Sequence, residues 1–111
     1  MENNNNETVK IVVFVPETHA DIVREAMGEA GAGLIGDYRH CSFSVKGIGR
    51  FTPLKTADPT IGKVGKKEEV VEERIETVCY KKDLDKIIEA IKKAHPYEEV
   101  ALDVYPLVRN P

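Results

Sequence analysis

Cysteine is scarce in this sequence: among 111 residues only Cys41 and Cys79 carry a thiol. Two are too few for a disulfide framework, and they lack the CxxC spacing of a zinc or redox site. Both are expected to pack as small apolar residues. Long hydrophobic runs are missing as well, since no stretch approaches the roughly 20 apolar residues of a membrane span. The stretch from Met1 to Glu7 is polar and has neither the basic nor the apolar region of a signal peptide, so a cytoplasmic location without membrane contact is expected. Positive charge is not in surplus. The 16 Lys and Arg are outnumbered by 19 Asp and Glu, and the two signs are interleaved, which argues against a nucleic-acid partner. The one local basic cluster, Lys63, Lys66 and Lys67, runs straight into Glu68 and Glu69 and reads as a solvated loop.

What is present is a globular composition, with 41% hydrophobic and 32% charged residues. At this length one domain is expected over residues 9–111, behind a disordered polar tail at 1–8. Val9 to Val15 is apolar on both faces, as a central strand would be, and Pro16 ends it. Thr18 and Asp21 are spaced as a capping box, and Val23, Ala26, Met27 and Ala30 then form one helical stripe that Gly31 and Gly33 stop. From about Arg39 to Lys46 the chain alternates, with Cys41, Phe43 and Val45 assigned to the core face and His40, Ser42 and Ser44 to the other. A third strand, about Glu69 to Tyr80, sets Val71, Ile75 and Cys79 against Val78 and Tyr80. Asp83 is placed to cap a second helix striped by Leu84, Ile87, Ile88 and Ile91 and ended by Pro96. Val100, Leu102 and Val104 alternate in a last strand closed by Pro106.

The order β-α-β-β-α-β predicts an α+β, ferredoxin-like sandwich: an antiparallel four-stranded sheet with two helices on one face. The other face is left open, and Val12, Phe14, Val78, Tyr80, Ala101 and Tyr105 on it predict self-association. The connection between strands two and three, residues 47–68, is far longer than the 2–5 residues a hairpin needs, which marks it either as a ligand or partner loop or as an arm that packs against a neighbouring subunit. Phe51, Leu54, Ile61 and Val64 are its expected apolar anchors, and its glycines permit positive φ or close approach of backbone to a ligand.

Catalytic signatures are weak. His95 and Glu98 are three residues apart and form a candidate metal pair, and His19 and His40 are further imidazoles. Pro96 breaks the helical register such a pair would use, so capping of the helix end by His95 is the favoured reading. His40 and Cys41, adjacent in a strand, point to opposite faces. No residue has the context of an activated nucleophile, and Gly47-x-Gly49 precedes a loop instead of the helix of a phosphate-binding motif.

Several separated motifs occur in order: Cys41 to Ser44 (CSFS), GxGxFxP from Gly47 to Pro53, AxPxIGxxG from Ala57 to Gly65, Arg74 to Val78, and His95-Pro96-Tyr97-Glu98-Glu99. Together they resemble the YqfO-type insert domain of the NIF-three-like proteins, a relative of CutA and the PII signalling proteins, over about Lys10 to Leu107. Thr56 departs from the pattern, which has Gly there. The resemblance implies a homotrimer in which the long connection after strand two is a regulatory loop and small ligands bind between subunits. It also implies that the dinuclear metal site of full-length relatives lies in halves outside this sequence, so their enzyme assignment is not transferred.

Three functions are thereby set against each other. The favoured one is a non-catalytic, trimeric PII/CutA-like binding or regulatory module, with a nucleotide or divalent metal as candidate ligand and Gly47, Gly49, Arg50, Phe51, Pro53, Ala57, Pro59, Gly62, Tyr97, Glu98 and Glu99 as candidate site residues. The second is a metal-assisted hydrolase using His95, Glu98 and Glu99. The third is an oligomerisation unit that binds a protein partner.

Overall fold

The structure, a computed structural model, describes residues 7–108; residues 1–6 of the expected tail and the last three lie outside it. Strand β1 (Thr8–Pro16) leads to helix α1 (Ala20–Glu29), strands β2 (Phe43–Phe51) and β3 (Glu68–Tyr80), helix α2 (Leu84–Ala94) and strand β4 (Leu102–Pro106). The sheet order is β2-β3-β1-β4, and every pair is antiparallel. This is the expected ferredoxin-like arrangement. No helix among the described residues is long and apolar enough to cross a membrane.

Alternation on β1 explains where the core sits. Val9, Ile11, Val13 and Val15 face Val23 and Met27 of α1 and Ile87 and Ile91 of α2, together with Ile75 and Cys79 of β3. Each such aliphatic side chain contributes about 1.5–3 kcal/mol when fully buried. Cys79 is a core residue, and burial pushes its thiol up to about 11, out of reach of ordinary thiolate chemistry.

Helix ends follow from backbone chemistry at one end and depart from expectation at the other. Gly31, at φ 112°, closes α1: the Ala32 N–H donates to Met27 O at 3.0 Å and the Gly31 N–H to Gly28 O at 3.1 Å, a Schellman closure that only a residue tolerant of positive φ forms cheaply. The capping box at Thr18 and Asp21 does not form. The helix starts at Ala20 after a short 3-10 turn, Thr18 Oγ1 meets His19 Nδ1 at 2.9 Å, and Asp21 is taken by Arg24. Nor does Asp83 cap α2; its carboxylate faces Lys82 and Lys86 instead.

Strand β2 is the main correction. It begins at Phe43 instead of near Arg39 and runs on through Gly47 and Gly49 to Phe51, which shortens the following connection to residues 52–67. Its register pairs Ser44 with the buried Ile75, so Ser44 faces the helices while Phe43 and Val45 point to the open face. Arg24 of α1 explains this choice: its Nη1 donates to Ser44 Oγ at 3.0 Å and to Glu73 Oε1 at 2.7 Å, so the edge strand is fastened to the helix layer by polar groups. The Glu73 carboxylate accordingly holds the Arg24 guanidinium above its usual pKa. β4 likewise starts two residues later than Val100, although Val100 still packs against the core.

The open face is less bare than the sequence suggests. Val12 lies on it yet is fully buried, and the ion pairs Lys10–Glu76 (3.3 Å) and Arg74–Glu76 (3.1 Å) run beside it. The Arg74 guanidinium also sits 5.8 Å from the centre of the Phe14 ring. Phe43, Val45 and Tyr105 remain exposed.

Candidate functional site

Beyond the helices, the 52–67 connection folds back against the turn after α2, and a cavity of about 580 Å³ opens between them. That size suits a small-molecule ligand. Three main-chain contacts shape the connection itself, Gly65 N–H to Pro53 O at 2.7 Å, Ala57 N–H to Leu54 O at 3.0 Å and Lys66 N–H to Lys63 O at 3.0 Å. Two more fasten it to the turn: the Asp58 N–H donates to Glu98 Oε1 at 2.9 Å, and Thr60 Oγ1 donates to the Pro96 carbonyl at 2.9 Å. Gly62 and Gly65, at φ 92° and 78°, supply left-handed turns. Phe51 and Ile61 are half-buried as expected of anchors, whereas Leu54 and Val64 are exposed.

His95 sets the position of the turn. The Tyr97 N–H donates to its Nδ1 at 3.1 Å, which leaves the proton on Nε2 to be donated to the Phe14 carbonyl of β1 at 2.7 Å. Burial keeps this imidazole below its ordinary pKa, in line with the neutral tautomer those bonds demand. His95 also terminates α2: its own N–H still reaches Ile91 O at 2.9 Å, but its φ and ψ of −78° and 138° are extended, as the following proline requires. With both ring nitrogens engaged by main chain, His95 offers no lone pair to a metal, and it does not line the cavity. The His95–Glu98 pair is therefore not brought together as a ligand set.

Nine of the expected residues do line the cavity: Gly49, Arg50, Phe51, Pro53, Ala57, Pro59, Tyr97, Glu98 and Glu99. Gly47 and Gly62 do not. Gly47 is a ladder position opposite Glu72, and Gly62 stands behind the Phe51 ring. Among the other wall residues, Phe14, Glu72, Leu54, Thr60 and Ala101 are not expected as site residues from the sequence. Glu72 matters most among them. A Cβ on Gly49 would overlap its carboxylate, so the glycine is what lets that carboxylate lie across β2. Burial raises the Glu72 pKa, and Glu72 makes no ion pair among the described residues. The Tyr97 hydroxyl is buried beside it and interacts with that carboxylate without a hydrogen bond of good geometry. Burial, with the Glu72 charge second, pushes that phenol up to about 12. The rings of Phe51 and Tyr97 meet edge to face at 6.0 Å.

A second group of titratable side chains lies elsewhere, where Glu25 and Glu29 of α1 approach His40. His40 stands at φ 58°, and its ring lies so close to Gly28 that a Cβ there would overlap it.

No protein-family model matches the chain. A protein of Halalkalibacterium halodurans named GTP cyclohydrolase 1 type 2 homolog is 53% identical over 101 residues, which covers 91% of this chain and 27% of that protein. Among solved structures, a Bacillus cereus protein related to NIF3 superposes with a TM-score of 0.82 at 51% identity, over 94% of this chain and 26% of the other. The CutA protein of Archaeoglobus fulgidus superposes at 0.66 with 15% identity, over 94% of this chain and 87% of its own. GlnK of Bacillus subtilis, in a complex with ATP, superposes at 0.63 with 12% identity, over 93% and 84%. The chain thus spans about a quarter of the length of the NIF3-related proteins it matches, while the CutA and GlnK likenesses are of fold alone.

Proposed function

We propose, from the premise that this chain is a NIF-three-like domain with the sheet architecture of CutA and the PII proteins, that it works as a non-catalytic binding or regulatory module. It takes a small ligand in the cavity between the 52–67 connection and the 96–99 turn, and it assembles as a trimer through its open sheet face. The observation that carries this reading is convergence. Residues of the Gly47 to Pro53 motif, of the Ala57 to Gly65 motif and of the turn at Tyr97, far apart in sequence, meet around one space of ligand size. Exposed Phe43, Val45 and Tyr105 support the assembly, since apolar groups grouped on one sheet face are relieved by burial against another copy.

The hydrolase reading draws no support from the site. Its histidine is committed to the main chain on both nitrogens, and the described group closest to a metal-ligand set, Glu25, Glu29 and His40, is not among the cavity residues. GTP chemistry in the name of the longer relatives, and ATP in the GlnK complex, belong to those proteins. The test is sedimentation velocity at micromolar concentration, combined with amide chemical-shift mapping against a small-molecule library. A species of three times 12.4 kDa and shifts clustered at the cavity are expected; a lone 12.4 kDa species would remove the trimer, and a library silent at those amides would remove the ligand site.

A further inference from the structure

We infer that the cavity selects a small organic cation, an ammonium or guanidinium group on an apolar body, with the Glu72 carboxylate as its charge partner. The inference rests on the cavity being a ligand site and names the ligand's class. Three carboxylates, Glu72, Glu98 and Glu99, line the space against one cation, Arg50. Arg50 is engaged through one of its five N–H donors, its Nε donating to Glu69 at 2.8 Å. Glu98 is partly satisfied by the Asp58 N–H. Glu72 has no ion-pair partner among the described residues, and the Tyr97 hydroxyl beside it interacts with that carboxylate without a hydrogen bond of good geometry. A ligand N–H⁺ placed there donates to both oxygens and replaces the water that burial has removed.

Other ligand classes fit worse. A phosphate would be desolvated against three carboxylates, with Arg50, already paired to Glu69 through its Nε, as the one cation of the wall. A divalent metal needs several oxygen or nitrogen ligands at fixed geometry, and the groups of three or more such side chains close enough to share an ion, among the described residues, do not include one at this cavity. The apolar remainder of the wall, with Phe14, Phe51 and Leu54, suits the body of the ligand, and the aromatic rings favour a cation over a neutral group. The chain already uses this chemistry next door, where Arg74 lies over Phe14.

The test titrates the full chain, labelled with nitrogen-15, with charge-matched probes: phenethylamine and benzamidine as cations, phenylacetate and benzoate as anions of similar shape, ADP as the phosphate-bearing arm, and magnesium chloride alone. Saturable shifts confined to Gly49 to Phe51, 54–61 and 97–99 are expected for the two cations, at least tenfold tighter than for either anion. Glu72→Gln should weaken the cations at least tenfold. Gly49→Ala, which displaces the same carboxylate without removing it, should do likewise in a protein that keeps its dispersed amide spectrum. Tighter binding of ADP, an anion or magnesium at these amides overturns the cation inference and leaves the cavity standing as a ligand site, and so does unchanged cation affinity in both folded variants. Silence with every probe overturns the inference and, together with a silent library, the binding function on which it rests.

Discussion

Two histidines secure the two connections that return the chain from a helix to the sheet, and they do so by opposite means. His95, after α2, is 6% exposed and holds main-chain groups on both ring nitrogens. His40, after α1, stands in the left-handed region at φ 58° with its ring against Gly28 and its nitrogens 3.8 Å from Glu25 and 3.5 Å from Glu29. An imidazole that faces a carbonyl and an amide is held in one tautomer and behaves as a strut. One that faces carboxylates on a wet helix surface is held only by exposed polar contacts, which contribute little. Only the strut supports the cavity, because only it ties β1 to the turn that carries Tyr97 and Glu98.

The contrast is sharpest when each histidine is removed. His95→Ala leaves the Phe14 carbonyl and the Tyr97 N–H without partners and opens a void, so urea denaturation should show a loss of roughly 2–4 kcal/mol, with shifts at the amides of 97–99. The other corner should respond about half as strongly and with a change of sign. Gly28→Ala normally gains about 1 kcal/mol in a helix, but here the new Cβ must evict the His40 ring, and a net loss of about 1 kcal/mol is expected. In a His40→Gly background, where the ring is gone and φ 58° suits the residue, the same substitution should instead stabilise by about 1 kcal/mol; additivity in this cycle would break the account of that corner.

Acid should separate the two sites further, with the smallest effect. Burial lowers the His95 pKa from its ordinary 6.5, so the unfolded chain binds the proton more readily than the folded one. The stability His95 gives is therefore fully present above about pH 6.5 and is lost as pH falls from there through the lower folded value. Denaturation midpoints between pH 7.5 and 5.5 should fall in the native protein and fall less in His95→Gln; equal slopes would show that the ring is not held neutral.

Much of the fold was legible because helical stripes and buried strands write their period into the sequence. Val23 with Met27, Ile87 with Ile91, and the run Val9 to Val15 each pointed to the elements that form the core. The facing of β2 was not legible. Alternation in Cys41, Phe43 and Val45 gives a period of two but not which set turns inward, and that is fixed by the pairing of Ser44 with Ile75 and by Arg24. Gly47 and Gly49 looked like loop residues for a similar reason: only the neighbouring strand shows that a glycine in the ladder is making room for Glu72. The cavity-lining residues on the loop and the turn lie in dense motifs that the sequence displays. Phe14 and Glu72 do not, since one resembles any strand aromatic and the other is hidden in a run of charges.

Strand β3 has one further consequence. In the sheet ladder, residues 68–71 pair with β2, 72–76 with both β2 and β1, and 77–80 with β1. The strand is a splint joining two half-overlapping ribbons, one bearing the long connection and the other the helix-backed layer. Amide exchange should then be slowest in the overlap and quicken toward Glu68. A pull on the connection is handed along one continuous backbone to the far end of the sheet, without passing through a single side chain.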